Sequence, residues 1–295
     1  MQTRIPGEAG HDRRAEQGAS SKYEQGDDVR FGFGENWRTF LHCLDDDRIA
    51  EAEKSLRIPL ACERLDGLSF VDVGSGSGLF SLAARRLGAR VHSFDYDADS
   101  VACTTTLRDQ NFPGDGNWTT QQGSVLDSEY LAGLGTFDVV YSWGVLHHTG
   151  AMRAALENAA RLVGPGGTFV IALYNRTPSC RIWAWEKRWY AGATPAAQRR
   201  ARRVYAALLR LHCLLRGRDF AAYVEGYRSK RGMDFDHDVH DWLGGYPYES
   251  VPPSEVASML GRLGLAHVRS TLLPFSLGLL GSGCNEYVYR RAPHD

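Results

Sequence analysis

At 295 residues the chain can bury a substantial core, and a formal net charge of −1 at pH 7 offers no electrostatic case for nucleic acid. The 6 cysteines form neither C-x-x-C pairs nor tight clusters, which reads as reduced thiols rather than a disulfide framework. No apolar run approaches the ~20 residues of a membrane span, and the first residues lack an apolar signal core, so the expected compartment is the cytoplasm.

Residues 1–29 are polar, with few large apolar groups, and are expected to be a disordered tail. Residues 30–66 read as an N-terminal helical cap. It opens on Arg30, Phe31, Phe33 and Trp37 interleaved with glycines, and Asp45 then caps a helix over 46–56. Phe33, Trp37 and Phe40 either anchor this helix to the core or bring Trp37 to a ligand.

The core, residues 67–176, begins with the apolar run Leu68–Val73, suited to a buried parallel strand. Gly74, Gly76 and Gly78 follow, with Ser75 between the first two, and a helix is expected from Ser77 to Leu87 with its amides toward a ligand. Asp95 ends the next strand, where a carboxylate can hold a ribose diol. The dinucleotide fingerprint would place a glycine at position 79, which is Leu79, and Asp72 would repel a pyrophosphate. An anion at 72 suits a cationic ligand instead. Further strands are predicted near 118–122, 137–142 and 168–174. Helices are predicted near 97–110, 127–133 and 151–162, the last stopped by Gly164-Pro165. Alternation of this kind implies a parallel, doubly wound sheet.

The run Phe70–Phe80 resembles the first motif of the class I S-adenosylmethionine-dependent methyltransferases. Gly123–Asp127, Phe137–His148 and Leu162–Thr168 resemble the family's later motifs in the right order. The resemblance covers roughly residues 66–176, with a weaker match near 266–290. It implies a Rossmann-like α/β fold, a seven-stranded sheet whose antiparallel last strand inserts between strands five and six. It also implies S-adenosyl-L-methionine as cofactor. Carried onto this chain, the cofactor shell would be Trp37, Asp72, Gly74, Ser75, Gly76, Gly78, Asp95, Tyr96, Ser124, Val125, Leu126, Ser142 and Trp143. Ser124, Val125 and Leu126 would hold the adenine.

After Tyr174 the pattern changes. Roughly 90 residues separate strand five from the strand predicted over Ala266–Leu272, too many for a loop, so residues 177–250 are expected to form a helical insert acting as a lid over the acceptor. Within it lie the aromatic cluster Ile182, Trp183, Trp185, Trp189 and Tyr190, and the basic amphipathic stretch Pro195–Arg218. Glu225–Glu249 carries His237, Asp238, His240 and Asp241. This H-x-x-H suits a divalent metal or a hydrogen-bonded pocket wall, and no metal site is assigned. Gly232, Gly244, Gly245 and Pro247 suggest a polar loop folded over a pocket. Residues 251–295 complete the core, with Asn285 and Glu286 at the start of the last strand, on the cofactor side.

For the chemistry, His148 after strand four is the first candidate base, with His147, Tyr174, Glu225, His237 and His240 as alternatives. An already ionised acceptor would need none. The expected activity is methyl transfer to an O, N or C atom of a small molecule in specialised metabolism. The alternatives are a cofactor-binding protein that cyclises or does not methylate, a methyltransferase of a prenylated acceptor at a membrane surface, or a nicotinamide dehydrogenase. The sequence leaves a homo-oligomer open.

Overall fold

The computed structural model describes residues 30–33, 37, 44–231, 235–272 and 283–293. The expected tail over 1–29, Phe40, Gly232 and the side chain of His237 lie outside the described residues.

Helix α1 (Asp46–Leu60) is capped by Asp45, whose carboxylate accepts from Arg48 N at 2.9 Å. Its Ile49, Ala52, Leu56 and Leu60 share one face and pack on Leu82 and Ala83 of α2 (Leu79–Arg86). The core then alternates as expected: β1 (Ser69–Val73), α2, β2 (Arg90–Asp95), α3 (Ala98–Asn111), β3 (Trp118–Gln122), α4 (Ser128–Leu134) and β4 (Phe137–Trp143). A 3₁₀ turn (Leu146–His148), α5 (Met152–Arg161) and β5 (Val163–Tyr174) complete the parallel part. Asp97 and Asp127 cap α3 and α4, the carboxylates accepting from backbone N–H groups two or three residues on.

The insert supplies α6 (Cys180–Ala191), α7 (Pro195–Leu215), α8 (Phe220–Arg231) and α9 (Phe235–Gly244). Helix α10 (Pro253–Arg262), β6 (Leu265–Thr271) and β7 (Cys284–Arg291) return to the sheet. The sheet has seven strands in the order β3-β2-β1-β4-β5-β7-β6. β7 runs antiparallel between β5 and β6, pairing Cys284 with Tyr174 and Glu286 with Ala172. The start of β7 therefore lies at the carboxyl end of β5, the edge where ligands bind in open α/β sheets.

Three expectations change. Helix α2 starts at Leu79 rather than Ser77, because Gly74, Gly76 and Gly78 hold φ of 80°, 54° and 82°, which no right-handed helix accepts. Gly164-Pro165 lies inside β5, which begins at Val163 and bulges against Phe137, rather than serving as the stop of α5. The stretch expected as a polar loop is largely helical, taking in the end of α8 and all of α9, whose Phe235, Val239 and Leu243 recur at helical spacing and pack with Tyr190 and Leu209. Among its described residues, Gly245–Pro247 lies outside the helices. Among the described residues, no helix is long and apolar enough to cross a membrane.

Candidate active site

The glycine turn joins β1 to α2 and is satisfied from within. Gly74 N and Ser75 N donate to Phe94 O at 2.9 and 3.1 Å, and Gly78 N donates to Ser75 O at 2.8 Å. Gly76 N donates to Asp95 Oδ2 at 2.9 Å, while Asp95 Oδ1 accepts from Asp97 N at 2.9 Å. Leu79 N, at the helix start, donates to Ser77 Oγ at 3.4 Å. These five amides are spent inside the turn, whereas α2 starts behind Gly78 with no side-chain cap on that residue. A pyrophosphate would meet two carboxylates beside this turn.

Those carboxylates are Asp72 and Asp95. Asp72 is buried, its Oδ2 accepting from Ser81 Oγ at 2.5 Å. Behind it Ser93 Oγ donates to Ser81 at 2.7 Å, and Trp118 Nε1 donates to Ser93 at 2.9 Å. This chain fixes the rotamer of Asp72. Burial pushes the Asp72 carboxyl up to about 7, against the Ser81 hydrogen bond, and pushes Asp95 up to about 6. An acid held so close to neutral gains most from a cation beside it. The donor set thus fits a ligand carrying sulfonium, ammonium and a ribose diol.

Around the turn, the Trp37 indole packs on Gly76, where a Cβ would come within 3.1 Å of its ring. Arg30 lies 5.7 Å over the exposed Tyr96 ring, bringing the N-terminal segment to the same edge. Ser124 Oγ accepts from Leu126 N at 3.1 Å, and Leu126 is exposed, whereas Val125 faces the core. Ser142 is buried and donates to Val73 O at 3.0 Å, so its hydroxyl ties β4 to β1. Trp143 is exposed, with Nε1 donating to Glu286 Oε1 at 3.3 Å.

Val145 packs on Gly74, and the 3₁₀ turn after it carries His147 and His148. His147 is buried; its Nδ1 accepts from Tyr174 N at 3.4 Å, which places the proton on Nε2. In His148 the roles reverse, because Nδ1 donates to Pro247 O at 2.7 Å. Burial lowers His148 to about 4 and holds His147 well below the usual histidine range, so both are neutral at pH 7. Tyr174 closes the group, its ring centroid 3.9 Å from His147 and 5.0 Å from Tyr248. Burial raises its phenol well above the ordinary value.

The remaining candidates fall elsewhere. Glu225 is exposed on α8. His240 Nδ1 lies 2.7 Å from Tyr190 Oη and accepts from Arg202 Nη1 at 2.9 Å, a network joining α6, α7 and α9. Among the described residues no group of three side chains could hold a metal ion. An open cleft of 610 Å³ lies apart from the turn, lined by Met152, Arg153, Arg176 and Glu249. Its two arginines share the single carboxylate of Glu255.

One residue escaped the sequence reading. Lys187 is wholly buried on α6, 3.8 Å from the Trp242 ring centroid. Its signal was spacing: Cys180, Trp183, Lys187 and Tyr190 occupy one helical face, and all four are buried.

A family model described as a methyltransferase domain matches residues 46–227. The chain belongs to that family. It is an S-adenosylmethionine-dependent methyltransferase, and the internally satisfied turn with its two carboxylates fits that cofactor rather than a dinucleotide. Among curated relatives, the ubiquinone biosynthesis O-methyltransferase of Rhizobium johnstonii is 29% identical over 174 residues, covering 55% of this chain and 68% of that one. The protein of the same name from Methylobacterium sp. is 34% identical over 122 residues, covering 41% and 47%. A solved structure of magnesium protoporphyrin IX methyltransferase from Synechocystis, with SAH bound, superposes with a TM-score of 0.53 at 14% identity. It covers 88% of this chain and 94% of its own, a likeness of fold.

Proposed function

We propose that this methyltransferase transfers its methyl group to an oxygen of a small aromatic acceptor, held between the carboxyl ends of β4 and β5 and the helical insert. One observation carries the reading: Val145 is the shared wall, touching Gly74 on the cofactor side and opening the turn of His147 and His148 on the other. S-adenosylmethionine brings a methyl already activated on sulfonium, so the protein's work is to bind, align and exclude water. Trp37 and Asp95 hold the cofactor edge, and Asp72 faces its positive end. The insert and the N-terminal segment act as the lid: Phe31 N donates to Tyr246 O at 3.0 Å, and Phe33 packs 5.2 Å from His148.

The histidines align more than they take protons. A group titrating near 4 is a poor match for a phenol of pKa ≈ 10, so the acceptor oxygen enters ionised or loses its proton to solvent. His148 orients the turn through Pro247, and His147 offers an N–H to the acceptor side. The O-methyltransferase names of the relatives support oxygen as the nucleophile. The test is transfer of label from methyl-tritiated cofactor to phenolic acids, read by chromatography, with Asp95→Ala as control. Cofactor binding without label transfer to any phenol, amine or carbon acid would sink the reading.

A second reading has its own observation. Ile182, Trp185 and Trp189 form an exposed stripe on α6, Trp185 being 71% exposed, and Val204, Leu208, Leu211 and Leu215 form another on α7 among arginines. Such faces suit a membrane surface delivering a prenylated acceptor. Co-sedimentation with anionic but not neutral vesicles, lost in Trp185→Ser/Trp189→Ser, would support it; equal recovery with both would refute it.

A further inference from the structure

The buried ammonium of Lys187 has aromatic neighbours and no hydrogen bond among the described residues. Its Nζ lies 3.8 Å from the ring centroid of Trp242 and 5.4 Å from that of Tyr248. Burial draws the ammonium down, against the field of the Glu186 and Asp241 carboxylates. Three more buried donors of the same region also lack a hydrogen bond: Nε1 of Trp183, Nε1 of Trp242 and Nε2 of His147. These groups come from α6, α9 and the 3₁₀ turn, and the rings connect them. Trp183 lies 5.4 Å from Trp242, Trp242 lies 5.6 Å from Tyr174, and Tyr174 lies 3.9 Å from His147.

Burying an ammonium, two indole N–H groups and an imidazole N–H without acceptors is costly, and native folds rarely do it without a use. All four groups donate. Glu186 Oε2 is a buried acceptor that also makes no hydrogen bond, but it projects from the next position, about 100° around the helix. Walls of aromatic faces with spare donors match a flat ligand rich in negative oxygen.

We propose that this cluster is the acceptor subsite, and that Lys187 binds a carboxylate or phenolate oxygen of an aromatic acceptor, with His147 Nε2–H and the two indoles beside it. The inference rests on the methyl-transfer reading above. Lys187 acts here as the specificity-determining residue: it selects an anionic acceptor over its neutral counterpart and fixes the distance of the nucleophile from the cofactor edge. Without the acceptor its charge is a liability to the fold.

The test uses the full chain saturated with S-adenosylhomocysteine and two probes of equal shape, 4-hydroxybenzoate and 4-hydroxybenzamide. Binding is read by calorimetry and by quenching of tryptophan emission. The anion should bind at least about tenfold more tightly than the amide, the scale of one charge-assisted hydrogen bond. Lys187→Met should erase that ratio, Lys187→Arg should keep part of it, and both should bind S-adenosylhomocysteine like the parent. Ligand-free Lys187→Met should also melt at a higher temperature than the parent, where a merely structural lysine would make it melt lower. Equal affinity for both probes, binding of neither, a preference that survives Lys187→Met, or a lower melting temperature would each overturn the proposal. Failure of the parent to bind S-adenosylhomocysteine would count instead against the cofactor reading beneath it.

Discussion

Gly74→Ala tests the wall between the two halves of the site. A Cβ there would lie 2.6 Å from Val145 Cγ2 and 3.0 Å from its Cβ, closer still to Cγ1, on a backbone with φ of +80°. The left-handed conformation costs an alanine about 1–2 kcal/mol, and overpacking against Val145 adds about 1–3 kcal/mol. The sum, about 2–5 kcal/mol, is a large share of the ~5–15 kcal/mol that holds a typical domain together. Urea unfolding of the parent, Gly74→Ala, Val145→Ala and the double variant separates the two terms. Val145→Ala removes both methyl groups that the new Cβ would meet. The double variant should therefore regain about 1–3 kcal/mol relative to additivity, while the conformational cost remains. Strict additivity would mean that Val145 is not what Gly74 makes room for. A Gly74→Ala protein as stable as the parent would refute both terms.

Asp95→Asn leaves an amide that can accept from only one of Gly76 N and Asp97 N and sets its own N–H₂ against the other. Cofactor affinity should fall by about 1–3 kcal/mol, roughly 5- to 160-fold by calorimetry, and unchanged affinity would remove Asp95 from the site. Asp72 carries a pH signature. Its native carboxyl, raised by burial to about 7, keeps a proton that the unfolded chain has lost above about 4, so its contribution to stability is full below the unfolded value and fades as pH rises through 7. The stability of Asp72→Asn should accordingly gain on that of the parent between pH 5 and 8 in denaturant titrations; parallel curves would contradict the raised carboxyl. Cofactor binding at pH 7 should release a fraction of a proton from Asp72, seen as a buffer-dependent calorimetric enthalpy that Asp72→Asn abolishes. Ser81→Ala, which removes the 2.5 Å hydrogen bond and leaves Ser93 and Trp118 without their relay, should push the Asp72 carboxyl higher still and weaken cofactor binding at pH 7 more than at pH 8.5.

The parts of this site legible from sequence are those whose physics is local. Three alternating glycines demand positive φ, and they stand between an apolar strand and a helix, so the turn could be placed before any contact was known. Asp45 and Asp97 announce helix starts because a carboxylate one turn ahead of free N–H groups needs no distant partner. The resemblance carried by the ordered motifs implied the sheet, down to the inserted antiparallel strand. Where local signals competed with packing, packing won. Gly164-Pro165 looked like a stop and lies instead in the irregular start of β5, between Val163, paired with Phe137, and Thr168, paired with Val139 and Arg290. His237 and His240 looked like a loop motif and lie on a helix held by Phe235, Val239 and Leu243.

Composition and spacing determined the donor side of this enzyme: a nucleotide-type turn, an anion on either side of it, and a cofactor with positive charge. Tertiary structure alone decided what is brought to that turn and around it. The tautomer of His148 depends on Pro247 O, 99 residues away, and the position of Trp37 on Gly76 depends on how the N-terminal segment returns to the sheet. Lys187 reads as one more basic residue until α6 turns it inward, beneath Trp242 and Tyr248. A charge announces its sign in the sequence, but its solvent and its partners are set by the chain segments that fold over it.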